Sequence, residues 1–340
     1  MNDRVSFRDG IALQAQSLAT SRADVATALD GMDLAPMRTG TVALVGIGAS
    51  LYAAVVGAAQ LRSQGRRAFA LPGTDLYDAT VDAADSYVAL SASGRSVEPA
   101  KAMELRPAAF RLGIAKNAAS PLAAVVDQML ATGMAQDSSP NTISYVGSLQ
   151  ALGLLADRVG QPSGFVWDTL PAVVEQTTAD TKAAVSRAAS LLHGRFVIDC
   201  VGHGTAYGTA GYAALLVREA VRAAAQNWDT LNFLHGPMEP NDARSSVLLF
   251  GDGREAKLAQ DLAGFGIAAV LVTTRSDVRD TDKLVVIQVP SLGQGLANAI
   301  VQSVPAQLLT AELMEAAGLP VCEFRYRQTD TKLDHAPASA

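Results

Sequence analysis

Two strand-to-helix turns in the first third of the chain carry hydroxyls beside glycine: Gly46-Ile47-Gly48-Ala49-Ser50 and Ser91-Ala92-Ser93-Gly94-Arg95-Ser96. In an open α/β sheet such turns lie at the carboxyl ends of the strands, where ligands bind. A helix start offers unpaired N–H groups and a partial positive charge, and serine hydroxyls add donors. Together they suit a phosphate dianion. The plainer alternative is that Ser and Gly merely cap and turn. A second kind of chemistry is offered by Glu219, the only acid between Gly202 and Trp228, set in the apolar stretch Ala213 to Arg222. A carboxyl so placed is partly desolvated, and its pKa rises toward the range useful for proton transfer. The alternative is a surface glutamate paired with Arg222 at i,i+3. His235, before Gly236-Pro237, stands on a loop, where a turn residue bonded to backbone is the simpler reading.

The elements that must position these groups repeat. Val45-Gly46-Ile47-Gly48-Ala49-Ser50 matches Val201-Gly202-His203-Gly204-Thr205-Ala206 at an offset of 156. Val88 to Arg95 matches Val247 to Arg254 at an offset of 159. Near-equal offsets argue for two copies of one α/β unit, a period far too long for a solenoid. On this alignment Phe250 stands where the first copy has Ser91, and Asp252 where it has Ser93. An aromatic ring and a carboxylate both disfavour phosphate, so the first copy is expected to bind and the second to have lost that site. Neither turn fits the Walker pattern, since no Gly-Lys-Ser/Thr follows, and a dinucleotide fingerprint lacks its third glycine.

Short apolar runs predict strands at 41–45, 67–71, 87–90 and 110–114, then at 196–201, 247–250, 267–272 and 284–289. Helical patterns run from Ala49 to about Gly65, over 96–105 and 141–159, and, in the second copy, from Thr205 to about Ala225 and from Gly295 to Ala317. Alternation of this kind gives parallel sheets flanked by helices. The fold class is therefore α/β, as two tandem Rossmann-like domains. The expected divisions are an N-terminal helical segment over 1–35, a first domain over 36–160 and a helical connector over 161–194. A second domain over 195–318 and a tail over 319–340 follow, the tail ending frayed in Ala-Pro-Ala-Ser-Ala.

Composition narrows the function classes. At 340 residues, 49% hydrophobic and 18% charged, the chain can bury a large core, which excludes disorder and disulfide-stapled miniproteins. A net charge of −6 gives no overall basic field for a nucleic acid. Two cysteines, Cys200 and Cys322, and four scattered histidines offer no metal-ligand cluster. No apolar run approaches the roughly 20 residues that span a bilayer, and Met1-Asn2-Asp3-Arg4 does not lead into a signal peptide. The expectation is a cytoplasmic protein with no metal, no cofactor, no nucleic-acid partner and no membrane partner.

These motifs together resemble the sugar isomerase (SIS) domain family, in the tandem form found as the isomerase half of glucosamine-6-phosphate synthase. Gly48-Ala49-Ser50 is similar to that family's Gly-Thr-Ser turn, and Ser91-Ala92-Ser93-Gly94-Arg95-Ser96 to its Ser-Gln-Ser-Gly-Glu-Thr phosphate loop. Leu215 to Glu219 and His235-Gly236-Pro237 match its Leu-Lys-Leu-Lys-Glu helix and His-Gly-Pro loop, with the same interval of sixteen residues. The similarity covers about residues 10–335. It implies phosphosugar binding through Gly48, Ala49, Ser50, Ser91, Ala92, Ser93 and Ser96. It also implies Glu219 as the acid/base that moves a proton between C1 and C2 of an open-chain sugar. His235 would act in ring opening, reaching the site from the neighbouring subunit of a homodimer, and Lys332 matches the family's catalytic lysine on the C-terminal tail.

The sequence departs from the synthase at Leu216 and Arg218, where that enzyme has lysines, and at Thr142-Ile143, where it has Thr-Lys. It carries no glutaminase segment with a nucleophilic cysteine. The resemblance therefore points to an aldose–ketose isomerase of a sugar phosphate or amino-sugar phosphate, acting through an enediol(amine). The alternatives are an amino-sugar-phosphate deaminase or fructosamine-phosphate deglycase, and a non-catalytic phosphosugar sensor.

Overall fold

The computed structural model describes residues 5–319, 324–326 and 328–334. Cys322 and the Ala-Pro-Ala-Ser-Ala end lie outside these. Among the described residues ten parallel strands form two five-stranded sheets. The first holds β1 (Thr41–Gly46), β2 (Arg67–Pro72), β3 (Ser86–Leu90), β4 (Phe110–Ala115) and β5 (Gln128–Ala131), in the order β2-β1-β3-β4-β5. The second holds β6 (Val197–Gly202), β7 (Ala224–Asp229), β8 (Ser246–Phe250), β9 (Ala268–Thr273) and β10 (Leu284–Gln288), in the order β10-β9-β8-β6-β7. Read from the other edge, the second order is the first one repeated. Each is a doubly wound α/β sheet whose strand order reverses beside its first strand, the place where such sheets bind ligands. Helices flank both sheets, as the alternating pattern requires, and the central strands are buried along nearly their whole length.

The chain divides into two compact units that interleave in sequence. The first sheet's unit comprises 16–136, 143–168 and 325–340, and the second sheet's 1–15, 137–142 and 169–324. The start of the expected connector stays with the first sheet because Trp167 lies against Gly153, whose added Cβ would fall 2.0 Å from the indole. Its ring N–H donates to Asp157 Oδ2 at 3.0 Å.

The repeat is visible in the backbone. Gly48 and Gly204 each start the helix after the first strand of their sheet, with φ/ψ of 57/−131° and 61/−124°. Only glycine holds that conformation without strain. Strand register corrects the second alignment, however. Val42 pairs with Ser86, and its counterpart Ile198 pairs with Ser246, which sets the offset after β3 and β8 at 160. Phe250 therefore corresponds to Leu90, a fully buried strand residue like itself, and Ser91 corresponds to Gly251. Both of these backbone N–H groups donate across the sheet at 3.1 Å, to Ile114 O and Val272 O. A one-residue slip in a strand turns every side chain to the other face, so register decides the match. The following helix begins at Val97 in one copy and at Arg254 in the other. The second copy's turn is thus three residues shorter and has no position for those serines, so Phe250 does not replace Ser91, nor Asp252 Ser93.

The helix expected from Thr205 to about Ala225 is also corrected. The α-helix covers Thr205–Leu216, a π-helical turn covers Val217–Val221, and β7 opens at Ala224. Gly46 pairs with Pro72 and Gly202 with Asp229, so the offset grows from 156 to 157 across this helix. One inserted residue is what a π turn accommodates, and such turns cluster at functional sites. The helices then end alike, in left-handed residues: Gly65 with φ 80° and Arg222 with φ 59°. Apolar periodicity cannot separate a helix end from a short edge strand, which is why β7, like β5, went unread.

Candidate functional site

In the first unit the serine loop is a closed structure with the tail built into it. Ser91 is buried, and its Oγ accepts the Ser96 N–H at 3.3 Å. Ser93 is exposed and accepts the Arg95 N–H at 3.3 Å. Ser96 occupies the N-cap position of the helix Val97–Glu104 without capping it. Its Oγ instead accepts from Lys332 Nζ at 2.8 Å. The tail is held by Leu333 N–H to Arg95 O at 2.7 Å, Val97 N–H to Thr331 O at 3.3 Å, and Arg95 Nε to Leu333 O at 2.8 Å. Burial, with the Arg95 charge behind it, holds the Lys332 ammonium below the usual lysine range, against the pull of Glu98. Ser50 is half-buried in the first turn of the helix Ala49–Ser63, after Gly48 and Ala49. Lys332, Arg95 and a helix N-terminus at one loop make a positive, donor-rich place for an anion.

Sequence reasoning missed Ser120. Its buried Oγ has no hydrogen-bond partner in the structure, and a Cβ at Gly94 (φ 66°) would stand 2.2 Å from it. A buried hydroxyl without a partner asks for one. Ala92 lies between Ser91 and Ser93 with its carbonyl taking the Lys116 N–H at 3.0 Å, so it shapes the loop.

Glu219 lies in the π turn of the second unit. Burial pushes its carboxyl up to about 7, and the charge acting the other way is that of Arg218. Arg222, the expected helical partner, leaves the helix in the left-handed conformation. A carboxyl near 7 takes and returns a proton at neutral pH, which a surface glutamate does poorly.

His235 is exposed, with its backbone N–H on Asn232 O at 3.0 Å. It stands past the carboxyl end of β7, whereas Glu219 stands one helix length away, near the amino end of that strand. At 1.5 Å per residue from Thr205, the separation is roughly 20 Å. The structure does not bring the two together within the unit.

At the carboxyl edge of the second sheet, sequence reasoning passed over His203 and Asp229. His203 Nδ1 and Asp229 Oδ2 are 2.8 Å apart. Asp229 also accepts the N–H groups of Leu231 and Asn232, at 3.1 and 3.3 Å. Partial burial raises its pKa, but these bonds outweigh it and the carboxyl lies below its usual range. The signal was present as a histidine in the Gly202-His203-Gly204 turn. Nearby, Asp252 is consumed by the end of the neighbouring strand β9, accepting from Thr273 Oγ1 at 2.6 Å and from Thr274 N–H and Oγ1 at 2.7 and 2.8 Å. Asp199, buried in β6, takes Trp228 Nε1 at 3.0 Å and Asn241 Nδ2 at 2.9 Å, one at each end of the segment carrying His235. Burial pushes the Asp199 carboxyl up against those two bonds.

Among the described residues no group of three or more His, Cys, Asp or Glu side chains is placed to hold a metal. Cys200 is a buried free thiol. No described helix is long and apolar enough to cross a membrane.

Solved structures share this architecture over nearly the whole chain. The C-terminal domain of glucosamine-fructose-6-phosphate aminotransferase from Francisella tularensis matches with a TM-score of 0.81 at 15% identity, covering 92% of this chain and 96% of that one. The fold is that of tandem SIS domains. Tagatose-6-phosphate ketose/aldose isomerase from Escherichia coli matches at 0.76 and 20% identity, over 98% and 97% of the two chains. Glucosamine-6-phosphate deaminase from Thermotoga maritima matches at 0.69 and 19%, over 90% and 95%. No family model and no curated protein matches the sequence. The SIS fold is thus legible in three dimensions where sequence identity is low.

Proposed function

We propose that the protein is a phosphosugar isomerase that interconverts the aldose and ketose forms of a sugar phosphate or amino-sugar phosphate. The observation that carries this reading is the desolvated Glu219 carboxyl, poised near 7 in a chain that also holds a lysine-closed serine loop. The backbone at Gly48, Ala49 and Ala92 and the hydroxyls of Ser50, Ser93 and Ser96 grip the phosphate, with Ser91 bracing the loop from within. That grip supplies remote binding energy and fixes the sugar. Glu219 removes the proton from one of C1 and C2 and returns it to the other through an enediol(amine), a contribution of about 10²–10⁴ in rate. Lys332 neutralises charge at the loop and stabilises the oxyanion that develops. His235 enters from the neighbouring subunit of a homodimer, in keeping with its distance from Glu219. The reaction needs no metal or cofactor, and a cytoplasmic setting suits a phosphorylated substrate.

The solved structures sharing the fold include a tagatose-6-phosphate ketose/aldose isomerase, a glucosamine-fructose-6-phosphate aminotransferase domain and a glucosamine-6-phosphate deaminase. The deciding experiment follows aldose–ketose conversion of hexose and hexosamine 6-phosphates by the wild type and by Glu219→Gln. Loss of conversion with retained ligand binding supports the proposal. Release of ammonia or a free amino acid points to a deaminase or deglycase instead, and binding without turnover in the wild type points to a sensor.

A further inference from the structure

We infer that a cavity at the outer edge of the second sheet is a binding site for a small apolar amine. The cavity lies between β10 and the helices Leu170–Asp180 and Lys182–Leu192. Its volume is about 810 Å³, within the range of small-molecule sites. The order β10-β9-β8-β6-β7 sets it at the opposite edge from β7, the strand that Glu219 precedes, four strand spacings or roughly 19 Å away. The inference is therefore independent of the sugar-phosphate reading.

The floor offers no donor. Val173, Ala184 and Val289 line it, with Thr177 and Thr181 among them. Both threonines are buried, and their hydroxyls donate back to the helix, to Val173 O and Thr177 O at 2.7 Å each. This is the usual way a helical threonine satisfies itself, and it leaves neither hydroxyl hydrogen for a ligand.

The rim presents acceptors. Gln176 Nε2 donates to Asp180 Oδ1 at 2.7 Å, and Gln288 Nε2 donates to Arg275 O at 3.0 Å. Each amide thus has its nitrogen engaged and its oxygen available. The Asp180 carboxylate is exposed beside them, and none of the described lining residues is a lysine or arginine. Arg187, one turn on from Ala184, is held by Asp280 at 3.0 Å. Lys182 stands two positions from both Asp180 and Ala184, a spacing that does not share a helix face.

Apolar walls beneath a carboxylate and two amide oxygens select a hydrocarbon or aromatic body that carries an ammonium. The body removes apolar surface from water, and the ammonium supplies both the charge and the donors that the rim lacks. An anion would meet Asp180 with no cation to offset it. An added peptide strand is disfavoured as well. The Val286 N–H on the outer edge of β10 already donates to Asp280 Oδ1 at 2.8 Å, and Arg187 fixes that carboxylate in place. A charge set against an edge strand is a common block to further pairing.

The test titrates the full chain with three indoles of similar shape: tryptamine, the neutral tryptophol and the anionic indole-3-propionate. Binding is followed by NMR with labelled valine methyls. Tryptamine should bind saturably, with a Kd of about a millimolar or tighter, ahead of tryptophol and well ahead of indole-3-propionate. Contacts from the indole to the methyls of Val173 and Val289 should place it in the cavity. Asp180→Asn, a change at an exposed position, should weaken tryptamine roughly threefold to tenfold and leave tryptophol unchanged. A loss of packing would weaken both probes alike. Failure of tryptamine to saturate, contacts only to other valines, or equal affinity for the amine and the acid overturns the inference, as does undiminished tryptamine binding by Asp180→Asn.

Discussion

After β3 the first unit places six residues, Ser91 to Ser96, before its helix begins; after β8 the second places three, Gly251 to Gly253. Both turns leave the sheet through the same backbone hydrogen bond. The longer one has room for three hydroxyls and is closed by Lys332 from the tail. The shorter one holds a carboxylate already satisfied by Thr273 and Thr274. A duplicated fold thus keeps its strands and helix starts while a difference of three residues in one turn decides whether serines stand there. The complementary change occurs in the first helix, where a single inserted residue makes the π turn that carries Glu219.

The comparison is broken most severely at Glu219. Glu219→Gln should reduce aldose–ketose conversion by about 10²–10⁴ while a phosphosugar still raises the thermal midpoint. Undiminished turnover would remove the proton-transfer role from the second copy. Next in size, Lys332→Met should weaken phosphosugar binding by roughly tenfold to a hundredfold, as expected for a hydrogen bond to a charged group. Titration with inorganic phosphate would show the same loss if Lys332 serves the anion. An unchanged affinity would leave the tail as a brace only.

A pH series sharpens the contrast further. With a folded pKa of about 7 against an ordinary 4.5, Glu219 holds its proton more tightly in the native state than when unfolded. Its effect on stability is neutral below about 4.5 and becomes increasingly unfavourable as pH rises to about 7. Relative to wild type, Glu219→Gln should therefore gain stability between pH 5 and pH 8, by up to about 3 kcal/mol. Denaturant unfolding at both pH values measures the gain, and a constant difference would contradict the desolvated carboxyl. The smallest effect is expected at the degenerate turn: Asp252→Ser should cost roughly 1–3 kcal/mol by leaving Thr273 and Thr274 short of an acceptor. It should create no phosphate affinity, because the turn is too short.

Much of the site was legible because its chemistry sits at Gly-rich strand ends, where spacing and residue type coincide. Ser50 and the serine loop are candidates on that ground, and Glu219 is one as a lone acid in an apolar helix. Others were not. His203 was passed over because its partner Asp229 follows 26 positions later, at the end of an edge strand with no periodicity of its own. Ser120 gave no signal, since a buried hydroxyl without a partner is a property of its surroundings. Phe250 was misaligned with Ser91 because the Gly-Arg pairs at 94–95 and 253–254 match across a deletion that only register exposes.

What the sequence determined by itself was local and periodic: alternating strands and helices, the duplication, and an acid stranded among apolar residues. Tertiary structure decided which residues meet. Lys332 joins Ser96 across 236 positions, His203 joins Asp229, and His235 stands about a helix length from Glu219. Hydrogen bonds and desolvation act over a few ångströms in space, and the chain's order along its length does not encode those distances.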